Sequence, residues 1–300
     1  MKSATEELRP FLVSARTKLQ RLLNPDGTLK DKGLNEAHEP EVGSLLVKQS
    51  SDGSQEQGLL DTAGLVDTTL FRAYMFSSPS LAGPLFRIDN FCDPDVVKEK
   101  LIETGRYNDL IDFFHGKHLH RQALELLQKF GQAEANEGSA PHLAGPQRTV
   151  AYLQNLHPDM LGLMLDFVKW PLKKDSELGM EVFLADTENA ESLPRSKVLK
   201  FLEGIDRKLA IRYLEHIIHE LNDTTPDFHQ RLAESYIERL NADDFENEEE
   251  RDVWKKKTLE FLRTSSNYQA YKALGQLSKD GVLSSSRPLK HHLHSLTHWV

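Results

Sequence analysis

The sequence contains one cysteine, Cys92, in 300 residues. That excludes an internal disulfide framework and any multi-cysteine zinc site. A reducing compartment is the natural setting for such a chain. Runs of Lys and Arg are missing and the net charge is −9. Nucleic acid is therefore a disfavoured partner, and so is a simple electrostatic hold on anionic lipid. No long apolar run occurs: the densest stretch, Met160 to Trp170, contains Asp166 and Lys169 and is too short to cross a bilayer. The opening MKSATEELRP is acidic and polar, unlike a signal peptide. The phosphate-cradling G-x-x-x-x-G-K-[ST], the nucleophile elbow G-x-S-x-G and a Gly-rich dinucleotide loop are all missing. Continuous Val/Ile runs and period-2 segments are missing too, so the expected fold is all-α.

What is present is helical periodicity. Ala210, Leu214, Ile217, Ile218 and Leu221 form one stripe, and Phe228, Leu232, Tyr236 and Leu240 a second. Asn222-Asp223-Thr224-Thr225-Pro226 joins them, with Thr225 as a candidate cap and Pro226 suited to a first helical position. Two such helices joined by a short turn pack as an antiparallel hairpin. Leu119, Ala123, Leu126, Leu127 and Phe130 repeat the first spacing. The helix-opening prolines Pro158, Pro194 and Pro226 are 36 and 32 residues apart, the length of a helical-hairpin repeat. The architecture read from this is an α-solenoid of antiparallel hairpins with disordered insertions, in which each hairpin contacts its neighbours.

The pattern divides the chain as follows. Residues 1–24 form an amphipathic helix through Leu8, Phe11, Leu12, Ala15, Leu19, Leu22 and Leu23, with Ser3 and Glu6 placed for a capping box. Residues 25–58, which open on Asn24-Pro25-Asp26-Gly27 turn chemistry, are too polar to offset their ordering entropy and are read as a disordered insertion. Residues 59–277 are the solenoid, with 59–131 and 146–277 separated by a polar loop, 132–145. Asp93-Pro94 opens one helix in it, and Gly105 and Gly116 end others. The acidic run Asn241 to Asp252 is read as a solvated loop. Residues 278–300 are a disordered tail.

Chemistry-bearing residues are few. Asp61-Thr62-Ala63-Gly64 looks like a GTPase switch segment, but without a phosphate loop it reads as a loop leading into a helix. His115, His118 and His120 could offer metal ligands, yet Gly116 interrupts the helix between them, and they read as inter-helix histidines. His216 and His219 in EHIIHE lack the zincin order and read as surface or edge residues. His291, His292, His294 and His298 form a terminal tract able to hold metal weakly. Cys92 lacks the neighbours that mark a nucleophile and reads as a small core residue. No catalytic, cofactor-binding or metal residue is assigned, and the chain reads as a non-enzymatic binding scaffold.

The segments VDTTLFRAYM (66–75), SPSLAGPLFRIDNFCDPDVVKEKL (78–101) and GRYNDLIDFFHGKHLHRQALELL (105–127) resemble the vacuolar sorting protein 39 family and the related transforming growth factor β receptor-associated proteins. ESLPRSKVLKFLEG and LAIRYLEHIIHELNDTTPDFHQRLAESYI resemble the same family's central array. The resemblance covers roughly residues 59–275. It implies a clathrin-heavy-chain-type helical repeat. It also implies a subunit of the homotypic fusion and vacuole protein sorting tethering complex, peripheral on late-endosomal and vacuolar or lysosomal membranes. Its implied partners are other tethering subunits and a late-endosomal Rab GTPase, and it implies no cofactor. Family members carry an N-terminal β-propeller and an often zinc-linked C-terminal end. Neither pattern is found here, and LSSSRPLKHHLHSLTHWV does not continue the solenoid, so the resemblance implies a truncated or differently spliced product of such a subunit. Two other readings stay open: an exchange-factor-like regulator of a Rab GTPase, and a small all-α metal-dependent hydrolase using the histidine pairs.

Overall fold

The computed structural model describes residues 2–30, 55–133, 140–242, 245–265, 267–269 and 271–272. These residues form an all-α fold, and the chain divides into two compact units, Met1–Gly145 and Pro146–Val300.

In the first unit, α1 (Lys2–Leu22) lies along α2 (Gln55–Ser77). Leu12, Ala15, Leu19, Leu22 and Leu23 are buried, as the stripe requires, but Leu8 and Phe11 are 41% and 66% exposed. The apolar face read from the sequence is thus wider than the face α2 covers. Ser3 lies inside α1, so it is not the N-cap of a capping box. After α1 the chain turns sharply: Thr28 donates from its N–H and its hydroxyl to Asp26 Oδ1, at 2.9 and 2.7 Å. This side-chain-closed turn lets Leu29 pair with Leu23. Residues 25–30 and 55–58, assigned from composition to an insertion, therefore belong to the folded unit. The rest of that stretch, 31–54, lies outside the described residues. Asp61–Gly64 is not a loop but part of α2.

A 3₁₀ turn (Pro79–Leu81) leads into α3 (Ala82–Phe86), followed by α4 (Pro94–Glu103), α5 (Tyr107–Gly116) and α6 (His120–Gln132). Asp93 caps α4 as expected, accepting from the Asp95 and Val96 N–H groups at 2.9 and 3.1 Å, ahead of Pro94. Gly105, at φ +66°, ends α4 in a Schellman turn: Arg106 N–H reaches Leu101 O and Gly105 N–H reaches Ile102 O. The same turn ends α5, but there His118 takes the left-handed conformation at φ +56°, which glycine adopts at lower cost. Phe71, Phe86 and Phe113 from α2, α3 and α5 stack in series, with centroids 5.5 and 5.0 Å apart. Such tilted contacts suit the ring quadrupoles.

The second unit runs α7 (Gln147–Gln154), a 3₁₀ turn (Pro158–Met160), α8 (Leu161–Lys174), α9 (Ser176–Leu184), α10 (Glu188–Glu191), α11 (Arg195–Glu203), α12 (Arg207–Glu215), α13 (Pro226–Ala242) and α14 (Glu248–Thr264). Each helix packs chiefly on its sequence neighbours, with α9 also meeting α7 and α12, which is the solenoid-like pattern. Phe228, Leu232, Tyr236 and Leu240 are buried to 5% exposure or less. A five-residue π-turn, His216–Glu220, ends α12. It inserts extra backbone relative to a 3.6-residue turn. His216 is buried because it continues the row of buried Leu209 and Tyr213 at i, i+4, i+7, correcting its reading as a surface or edge residue; Leu221, past the π-turn, is only partly buried, and His219 is exposed. The acidic run is also not simply a loop. Asn247 accepts from Glu250 N–H at 2.8 Å, and Glu248, Glu249 and Glu250 form the first turn of α14. Carboxylates there complement the helix dipole. The helix read over 268–277 and the tail 278–300 lie almost wholly outside the described residues.

Candidate functional site

The segments that carry the family resemblance are held to one another by buried polar groups. Asp67 on α2, 2% exposed, accepts from Arg16 Nε of α1 at 2.9 Å and from the Phe91 N–H at 2.7 Å. Thr68 beside it accepts from the Asp93 N–H at 2.9 Å. Arg16 also donates to Asp89 O at 2.6 Å. Lys117 from the end of α5 donates to Asn90 O, and the Asn90 side chain bonds Ile88 O and the Cys92 N–H. The Asp-Thr pair of VDTT thus reads out the backbone of the FCD linker. This linker is irregular chain packed among helices, where its polar groups need partners.

A second clasp has the same logic. Arg106 pairs with Asp109 at 2.6 Å and donates to Pro79 O, so GRYND holds SPSLAG. Gly83 makes the approach possible: a Cβ there would lie 2.8 Å from Asp109 Oδ1.

Cys92 sits inside the first clasp, 2% exposed. Burial, reinforced by the Asp67 charge, pushes its thiol up to about 12. It stays a neutral thiol at physiological pH and is no nucleophile. Burial also lowers the Lys117 ammonium below its ordinary value, against the raising influence of nearby Asp67 and Asp89.

His115, His118 and His120 do come together. The His120 ring lies edge-on to both others, with centroids 5.4 and 5.8 Å away. His120 is 8% exposed, and burial together with its two neighbours lowers its pKa. His216 bonds Glu220 at 2.9 Å across the π-turn, whereas His219 turns the other way, edge-on to Phe261. Among the described residues no three His, Cys, Asp or Glu side chains are arranged to hold a metal ion. The tract His291, His292, His294 and His298 lies outside them.

Sequence reading missed the polar cluster of the second unit. His229 Nε2 meets Asp223 O at 2.8 Å and must donate there, so its Nδ1 accepts from the Ser265 hydroxyl at 2.7 Å. The pair has the form of a Ser–His dyad, but its third member is a carbonyl, and the imidazole is 6% exposed. It joins α13 to the end of α14. Tyr236 OH donates to Glu215 Oε1 at 2.8 Å, and Lys257 meets the same oxygen at 2.8 Å, tying α12, α13 and α14 together. Arg239 lies 4.0 Å above Trp254 and pairs with Glu250 at 2.9 Å. The one available signal was a polar residue at a core position: Asp67 next to Val66, and His229 next to Phe228.

The surfaces of the two units differ. Among the described residues, eight of the eleven exposed large apolar side chains lie in the first unit, among them Phe11, Leu65, Phe76 and Ile88. In the first unit a groove of about 470 Å³ runs between α2 and α4 over Met75, Phe76 and Val96. In the second, a groove of about 560 Å³ between α12 and α13 is polar, crossed by Arg231 bonded to Glu203 and Asp227 and by Arg207 bonded to Glu238. No helix among the described residues is long and apolar enough to cross a membrane.

Fold and surfaces together define an all-α helical-array protein whose buried polar groups join helix to helix. Residues 66–172 match the family model for vacuolar sorting protein 39 domain 1. The chain is 30% identical to the fission-yeast Schizosaccharomyces pombe vacuolar morphogenesis protein 6 over 289 residues, 93% of this chain and 31% of that protein. It is 31% identical to a Mus musculus Vam6/Vps39-like protein over 84% of this chain and 30% of that one. A Drosophila melanogaster vacuolar protein sorting-associated protein 39 homolog is 34% identical over 79% of this chain and 27% of the homolog. In its central helical region the chain belongs to the vacuolar sorting protein 39 family. It spans about three tenths of the length of these relatives. No solved structure shows a significant match.

Proposed function

We propose that the chain is the helical scaffold part of a vesicle-tethering subunit of the homotypic fusion and vacuole protein sorting type. It acts without catalysis, by protein–protein binding, in transport from late endosome to vacuole or lysosome. It sits on those membranes peripherally, through its partners. Those partners are other tethering-complex subunits and a late-endosomal Rab GTPase.

The observation that carries this reading is the use made of the family-bearing polar residues. Asp67, Thr68, Arg106 and Asp109 all face the chain's own helices and linkers. They build a rigid array and leave apolar side chains outside it, as a binding scaffold requires. The names of the relatives, which refer to vacuolar sorting and morphogenesis, support the cellular setting. Affinity purification of the tagged chain from cells is the test. Tethering-complex subunits are expected to co-purify stoichiometrically; their clean absence, with the chain folded, contradicts the reading.

A further inference from the structure

We infer that the groove between α2 and α4 is a docking site for an amphipathic helix of a partner protein, one carrying basic residues on one flank and acidic residues on the other. The floor is Met75 and Phe76 of α2 with Val96 of α4. Phe76 is 53% exposed, and Leu65, three turns back on the same face of α2, is also 53% exposed. Apolar side chains at that spacing are what a second helix covers.

The walls carry opposite charge. Arg72 stands on the α2 side, and Glu99, Lys100 and Glu103 on the α4 side, which is net acidic. Glu103 is paired with Lys100 at 2.8 Å. Arg72 and Glu99 have no ion-pair partner among the described residues. An incoming helix with Lys or Arg along the flank facing α4 and Asp or Glu along the flank facing Arg72 would satisfy both. A lipid surface would not, because the acidic wall repels anionic headgroups. The same charges disfavour a uniformly charged peptide.

The inference rests on the reading of the chain as a binding scaffold, but its test is separate from co-purification. The probe is a fluorescein-labelled amphipathic peptide of about 18 residues. It has a leucine stripe, lysines on one flank and glutamates on the other. Fluorescence anisotropy with the full chain reads binding, and hydrogen exchange locates it. Phe76→Glu, at an exposed position, is expected to weaken binding about 10-fold or more while leaving the helical circular dichroism unchanged. Arg72→Glu and Glu99→Lys should each weaken it about threefold. The double variant should recover, because the peptide can then lie in the groove in the reverse direction. Four results overturn the inference: no binding by the unsubstituted chain, indifference to Phe76→Glu, no recovery in the double variant, or exchange protection away from residues 65–76 and 94–104.

Discussion

The two units solve the same packing problem with different chemistry. In the first, a buried carboxylate and a threonine hydroxyl grip the backbone of a linker, and Arg16 reaches in from α1 to complete the charge balance. In the second, an aromatic cluster centred on Phe261 joins the helices together with the polar contacts of His229 and Tyr236. Phe261 meets Tyr236 edge-on, stacks on His229 and lies near Tyr268, with centroids 5.6, 5.9 and 6.3 Å away. Lys257 lies over the Tyr236 ring at 5.8 Å, and ion pairs such as Arg231–Glu203 lie on the surface. The difference teaches where each unit is brittle. A buried ion pair is costly to break because it leaves a charge stranded, whereas an aromatic cluster loses contacts in proportion to the volume removed.

Substitution at the centre of each unit gives the largest effects. Asp67→Ala strands Arg16 and leaves the Phe91 N–H without its acceptor, at an expected cost of about 3–5 kcal/mol. Phe261→Ala should cost about the same by cavity formation. The two can be told apart optically, because Trp170 and Trp254 lie in the second unit and no tryptophan precedes residue 170 in the sequence. In urea titrations, Asp67→Ala should move part of the circular dichroism transition and leave the tryptophan fluorescence transition in place. Phe261→Ala should move the fluorescence transition. If both variants shift both signals equally, the contrast between the units is lost.

A smaller effect is expected at Arg239, whose guanidinium lies between Trp254 and the more distant Phe245 and pairs with Glu250. Arg239→Ala should lower stability by about 1–2 kcal/mol, and Arg239→Lys by less, as read by the tryptophan signal. Smaller again is Arg231, 42% exposed, which bridges Glu203 and Asp227. Arg231→Ala should cost under about 1 kcal/mol and become silent in high salt.

The smallest effect is a pH dependence confined to the first unit. His120 has its pKa lowered below 6.5 by burial and by His115 and His118. The unfolded chain therefore binds the proton first as pH falls. The contribution of neutral His120 is complete above about 6.5 and is lost as pH drops from there through the folded value. Circular dichroism melts between pH 7 and 5 should show this decline, and His120→Gln should flatten it. An unchanged slope in that variant would remove His120 from the account.

Much of the fold was legible in the sequence because it rests on periodicity. Ala123, Leu127 and Phe130 of the first stripe, the whole stripe at 228–240, the Asp93-Pro94 cap and the Gly105 stop follow from local chemistry; Leu119 sits outside its helix at the N-cap position, Leu126 is only partly buried, and Leu124 is buried instead. The misses have physical causes. Leu8 and Phe11 have the right spacing, but spacing does not say how far a neighbouring helix extends. His216 continues a second buried row, Leu209 and Tyr213, beside the Ala210–Leu214 stripe, and a stripe of aliphatic residues alone does not reveal that row. The acidic run carries the signature of a solvated loop in its charge, while its helix start depends on the single Asn247 cap. Asp67 and Arg16 are 51 residues apart, and nothing local links a carboxylate on one helix to a guanidinium on another. The resemblance to the family located those segments without saying what their polar residues do.

Amide hydrogen exchange on the Asp67→Ala variant tests the central claim most directly. The account expects the Phe91 and Asp93 amides, together with α1, to lose protection while α12 to α14 keep theirs. Unchanged protection at residues 91 and 93, or an equal loss across both units, would contradict it.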